Sequence, residues 1–260
     1  MSRIAEAFAA LRREGRAGLV TYVTAGDPTP AQSADVLRAI AAAGADVLEV
    51  GVPFSDPIAD GPAIQRATER ALAAGGNLTV TLDLIASVRG EIRQPIVLFT
   101  YVNPVIQFGI DAFVARAAEA GVDGVLLLDL PIEESADMCQ RLASRGIDQI
   151  FLISPTTTEP RVRQAAALGR GFLYVISRLG VTGARAEVSG SAAPLVERIR
   201  RVTDLPIAVG FGLSKPEHMD EVGRYADAAV VGSALVTVIG EAGPDAASRA
   251  GAFVRWLRGA

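Results

Sequence analysis

Glu49 stands alone as a charge in an apolar stretch, between Leu48 and Val50. A carboxylate buried there against apolar neighbours would cost several kcal/mol, so the economical reading turns it toward a polar mouth, where partial desolvation raises its pKa. An acid of that kind is a candidate for proton transfer; the structural alternative is a carboxylate that only hydrogen-bonds nearby backbone. The run Pro53-Phe54-Ser55-Asp56-Pro57-Ile58-Ala59-Asp60-Gly61-Pro62 follows directly and supplies two more acids. Asp56 before a proline reads as turn chemistry, whereas Asp60, just ahead of a helix, is either its cap or a ligand group. Asp129 is a further candidate for the substrate side, either supporting the site or merely ending a strand. A separate set, Gly180 and Gly183, Gly210-Phe211-Gly212 and Gly232-Ser233, provides small residues where backbone N–H groups can approach an anion. Ser233 in addition is placed to cap a short helix over 234–239, whose N-terminal end would favour phosphate.

Other chemistries lack their residues. The one histidine, His218, falls inside a helical stretch, so neither a metal cluster nor a histidine base is expected, and no metal site is assigned. The one lysine, Lys215, starts that same helix, which argues against a Schiff base or a lysine-bound cofactor in this chain. Cys139 is single, lies in a helical stretch over 133–145, and reads as structural. A net charge of −4 with scattered cations gives no footprint for nucleic acid, so an anionic ligand needs a local device. No apolar run reaches the ~18 residues of a membrane helix. The N-terminus alternates Ile4, Ala5, Phe8 and Leu11 with Arg3, Glu6, Arg12 and Arg13, as in an amphipathic helix rather than a signal sequence, so a cytoplasmic protein is expected.

The elements that must position these residues are short apolar runs alternating with helical patterns. The runs are 19–24, 47–50, 96–100, 124–128, 149–153, 172–176, 207–209 and 228–231, eight in all. Most are apolar on successive residues, as in parallel strands covered on both faces. Gly44, Gly121, Gly146 and Gly223 precede Asp46, Asp123, Asp148 and Asp227, which suggests left-handed helix ends before the next strands. With no linker or second composition regime, the chain is expected to form a single (β/α)8 TIM barrel over 1–260, with an extra N-terminal helix. The two long connections, 51–62 and 177–191, then both leave strand C-termini, the end where barrels gather their chemistry. With carboxylates but neither lysine nor metal, carbon–carbon cleavage requires a substrate that is its own electron sink, and an indole protonated at C3 is one.

The stretch from Leu48 to Pro62 resembles the signature of the tryptophan synthase α subunits, and the resemblance extends over essentially the whole chain through 22–28, 180–185 and 210–212. It implies a lyase that cleaves indole-3-glycerol phosphate to indole and glyceraldehyde 3-phosphate, in which Glu49 passes a proton to indole C3 and Asp60 hydrogen-bonds the indole N–H. It further implies that Tyr22, Phe99, Tyr174 and Phe211 wall the indole pocket, that Gly183, Gly212, Gly232 and Ser233 bind phosphate, and that Thr182 closes onto Asp60 as part of a lid. Tyr22 and Phe99 depart from the residues common in the family, Phe and a smaller aliphatic, which bears on pocket shape alone. The resemblance implies an α2β2 heterotetramer in which pyridoxal phosphate belongs to the β subunit and this chain carries no cofactor. A stand-alone indole-3-glycerol-phosphate lyase, acting without a β subunit, shares the same acids and fold.

Overall fold

The computed structural model describes residues 1–176, 192–210 and 212–259. Eight parallel strands close on themselves in chain order: β1 (Gly18–Thr24), β2 (Val47–Gly51), β3 (Ile96–Thr100), β4 (Gly124–Leu127), β5 (Asp148–Ile153), β6 (Leu173–Ile176), β7 (Ile207–Gly210) and β8 (Ala228–Val231). Register couples Tyr22 to Glu49, Glu49 to Val97, and Tyr174 to Ala208. The helices are α1 (Arg3–Glu14), α2 (Pro30–Ala42), α3 (Pro62–Ala73), α4 (Leu78–Arg89), α5 (Val102–Phe108), α6 (Ile110–Ala120), α7 (Ala136–Ser144), α8 (Glu159–Leu168), α9 (Ala192–Arg200), α10 (Pro216–Gly223), α11 (Ser233–Glu241) and α12 (Ala246–Leu257). The expected (β/α)8 barrel with its extra N-terminal helix is what forms. No single helix among the described residues is long and apolar enough to cross a membrane.

Unbroken apolar strands arise because each strand has two buried faces. Leu48, Val50, Leu98, Val125 and Val209 pack outward under the helices, while Val20, Val47, Val97, Leu126, Ile150 and Phe172 fill the interior. The interior is plugged from the strand N-termini by α1, which contributes Ile4, Phe8 and Leu11 to that cluster and sets Phe8 against Phe172 with ring centroids 5.5 Å apart. Glycines make room for the plug. A Cβ on Gly18 would stand 2.6 Å from Leu11 Cδ1, and one on Gly124 2.7 Å from Ile4 Cδ1.

The aspartates after the helix ends secure this floor. Asp46 accepts the backbone N–H of Leu19 at 2.7 Å, Asp123 that of Ile96 at 2.8 Å, and Asp227 that of Ile207 at 2.7 Å. Each also meets arginines: Asp46 binds Arg16 and Arg258, Asp123 binds Arg3 and Arg89, and Asp227 binds Arg200. Asp148 instead accepts the Ser2 hydroxyl, tying the start of α1 to β5.

Three local expectations are corrected. Gly44, Gly121 and Gly146 do adopt positive φ, but Gly223 is the last residue of α10 and the cap is Arg224 in a right-handed conformation. The helix expected over 133–145 is a 3-10 turn at Ile132–Glu134 followed by α7, with Ser135 at the junction, its N–H bonded to Ile132 O and its hydroxyl donating to Pro131 O. Ser233 does not cap the helix after β8. Gly232 occupies the cap, Ser233 is the first helical residue, and the helix runs to Glu241.

Candidate active site

Alternation along β2 decides where Glu49 points. Its neighbours Leu48 and Val50 belong to the outer layer and Val47 to the interior, so Glu49 faces into the barrel. It is wholly buried rather than open at the mouth, and neither carboxyl oxygen has a hydrogen-bond partner among the described residues. Burial alone pushes its pKa up to about 8.

Beyond Glu49 toward the strand C-termini lies an apolar cavity of about 230 Å³. Tyr22, Phe99 and Tyr174 line it, as do Asp60, Gly212, Gly232 and Ser233. Tyr22 and Phe99 meet edge to face, their centroids 5.4 Å apart at 79°. That geometry suits the ring quadrupoles and leaves the pocket walled by aromatic surface. The tyrosines fit only because neighbouring strands end in glycine. A Cβ on Gly51 would lie 2.1 Å from the Tyr22 hydroxyl, and one on Gly210 2.6 Å from that of Tyr174. Gly210, read from sequence with the anion-binding glycines, therefore serves Tyr174 packing.

Asp60 ends the connection after β2. The stretch is held by backbone bonds from Ile58 N to Asp56 O and from Asp60 N to Pro57 O, and by the Ala59 N–H, which donates to the Tyr101 hydroxyl at 3.2 Å. Tyr101 is in turn stacked against Phe54 at 5.2 Å. The Asp60 side chain is buried, and burial raises its pKa to about 6. Helix α3 is capped by Gly61 without a side-chain cap bond, so the Asp60 carboxylate is free of the capping role that sequence left open. Asp56, by contrast, is exposed and paired with the Ser55 hydroxyl. Two buried acids and the Tyr22 hydroxyl thus share one region, and burial, followed by the Asp60 charge, keeps that phenol well above its usual pKa.

At the other side of the cavity, Gly212 adopts φ +85°, which favours glycine, and Gly232 precedes α11 with no side-chain cap. No cap side chain therefore covers the first N–H groups of α11, and an anion there would meet the positive end of the helix. Asp129 is not part of this cavity. It is exposed beyond the end of β4 and accepts the Val102 N–H at 2.7 Å, capping α5. Phe211, Thr182 and Gly183 lie outside the described residues. Sequence reading missed the aliphatic lining of Ile64, Leu128, Leu152, Ile176 and Val230. Two-residue spacing carried the signal, since Leu128 follows Leu126, Leu152 follows Ile150 and Val230 follows Ala228 on interior faces.

Comparison with known proteins places this geometry. The family model described as "Tryptophan synthase alpha chain" matches residues 8–255. The tryptophan synthase alpha chain of Solibacter usitatus is 49% identical over 239 residues, covering 92% of this chain and 90% of that one. That of Geotalea uraniireducens is 48% identical, covering 99% and 97%. Among solved structures, the alpha subunit from Legionella pneumophila superposes with a TM-score of 0.89 at 36% identity, covering 100% of this chain and 98% of that one. A chain of Mycobacterium tuberculosis tryptophan synthase gives a TM-score of 0.89 at 37% identity, covering 99% and 98%. With a model matched over nearly its full length and curated relatives close to half identical, the chain belongs to the tryptophan synthase alpha chain family.

Proposed function

We propose that Glu49 and Asp60 are the acid–base pair of this lyase, which cleaves indole-3-glycerol phosphate to indole and glyceraldehyde 3-phosphate in tryptophan biosynthesis. The observation that carries the assignment is a pair of buried acids, Asp60 lining the aromatic cavity and Glu49 beneath it within electrostatic reach of the lining residues Tyr22 and Tyr174, with pKa values raised by burial to about 6 and about 8. At neutral pH Glu49 holds its proton while Asp60 is ionised, the division of labour that a proton donor and a cation-stabilising carboxylate require.

The indole ring lies among Tyr22, Phe99 and Tyr174, with Phe211 completing the wall. Glu49 delivers its proton to C3, placing positive charge on the ring nitrogen, and the Asp60 carboxylate, accepting the indole N–H, stabilises that cation. The Glu49 carboxylate then takes the proton of the hydroxyl on the carbon attached to C3. The carbon–carbon bond breaks, its electron pair returns to the ring, an aldehyde departs and Glu49 is again protonated. Gly212, Gly232 and Ser233, with Gly183, hold the phosphate at the start of α11. Thr182 closes onto Asp60, excluding water from the charged intermediate. Asp129 acts at the rim by fixing α5 and so the Tyr101 that steadies the Asp60 connection.

The chain works with a β subunit in an α2β2 assembly, and pyridoxal phosphate belongs to that partner. The M. tuberculosis structures that match are of tryptophan synthase, one in an aminoacrylate-bound form. Lys215, the sole lysine here, is exposed at the cap of α10, away from the cavity, so the residues of this chain do not fit a Schiff-base cofactor. The reaction is placed in the cytoplasm, where a doubly charged phosphate ester is retained.

Indole release from indole-3-glycerol phosphate tests the reading, measured alone and with a β subunit. Slow turnover that rises with the partner, and falls by about 10²–10⁴ in Glu49→Gln and in Asp60→Asn, is the expected result. Fast turnover without a partner would indicate the stand-alone lyase, and none in either condition would overturn the assignment.

A further inference from the structure

The connection after β1 carries a carboxylate that the chemistry above does not use. Asp27 is buried, its side chain 2% exposed, and Arg70 of α3 grips it with both arms of its guanidinium, Nε to Oδ1 at 2.7 Å and Nη2 to Oδ2 at 3.0 Å. The same guanidinium abuts α11, since a Cβ added at Gly240 would stand 2.6 Å from Nη2 and 3.1 Å from Cζ. Beside this contact Gly26 packs on Ala71, its missing Cβ 3.6 Å from the alanine methyl. Three elements therefore meet on one side chain. Each also presents a cavity residue: β1 gives Tyr22 near the end that leads to Asp27, while the two helices do so from their far ends, α3 beginning just after Asp60 and giving Ile64, and α11 beginning with Ser233.

We infer that Arg70, locked by Asp27 and wedged against Gly240, is a positioning residue that sets the spacing between the Asp60 end of α3 and the phosphate end of α11. The inference rests on the function proposed above, because only a substrate held at both ends feels that spacing. A planar, two-pronged guanidinium suits the task, as it fixes orientation as well as charge, and neither lysine nor an apolar chain reproduces it. Each end would still bind its own fragment if the spacing were lost. What would disappear is the gain from holding both fragments as one molecule, which depends on ångström-scale alignment.

The test compares whole substrate with fragments in Arg70→Met, Arg70→Lys and Gly240→Ala. Gly240→Ala keeps every charge and improves helix propensity, so it remains informative should Arg70→Met fail to fold. The expected result is a loss of about tenfold or more in kcat/KM for indole-3-glycerol phosphate in Arg70→Met and Gly240→Ala, with a smaller loss in Arg70→Lys. Dissociation constants for indole and for inorganic phosphate, measured separately, should stay within about twofold of wild type. Undiminished kcat/KM, or fragment affinities that fall in parallel with it, would overturn the positioning role alone. A wild-type protein that binds inorganic phosphate but does not cleave the substrate would overturn the proposed function and this inference with it.

Discussion

A carboxylic acid sealed from water holds its proton, and Glu49 does so because burial raises its pKa from 4.5 to about 8 with no cation to offset the cost. The linkage has a definite sign. The unfolded chain releases this proton near pH 4.5 and the folded chain near 8, so the folded state binds more protons between those values and stability falls as pH rises through the window, by at most about 1.4 kcal/mol per pH unit. Glu49→Gln removes that dependence. Urea unfolding at pH 5 and pH 8 should show the variant gaining on wild type at the higher pH, whereas a difference that does not change with pH would remove burial as the cause. The inward orientation of Glu49 was legible in sequence because a single charge within an apolar strand has few places to go, whereas its complete burial was not. Local sequence set Asp56, before a proline, apart as turn chemistry, but left Asp60 open between a helix cap and a ligand group. Burial separates the two acids, and burial depends on how the connection folds back over the barrel mouth through Tyr101.

At the scale of elements, the eight strands were legible to within a residue or two because covered parallel strands are apolar on successive residues. Helix ends were harder. Gly223 and Ser233 are a glycine before a strand and a serine before a helix, yet one is helical and the other follows the true cap, Gly232. Close approach by a neighbouring strand is invisible locally. Gly51 and Gly210 are glycine because tyrosine hydroxyls from β1 and β6 occupy the space a Cβ would take. Gly210→Ala should therefore cost about 1–3 kcal/mol in denaturant unfolding, and Tyr174→Phe should recover part of it by removing the clashing oxygen. Equal destabilisation in the presence and absence of Tyr174→Phe would show that the glycine answers to something else.

For the whole molecule, the two ends of the barrel divide the work. The strand N-termini are closed by α1 and by aspartates that bind backbone N–H groups, whereas the C-termini hold the cavity and its acids. Asp123 combines the Ile96 N–H with Arg3 and Arg89, so Asp123→Ala should lower stability by about 1–3 kcal/mol and Tm by several degrees. KM for the substrate should not move, and a KM that rose several-fold would break the separation of the two ends. The most direct test of the central claim is the pH dependence of kcat/KM for indole-3-glycerol phosphate, which reports the acid and base of the free enzyme. With Asp60 ionising at about 6 and Glu49 at about 8, the account predicts a bell that rises through the first value and falls through the second. A rate that keeps its full value well above pH 8 would mean that protonated Glu49 is not the acid.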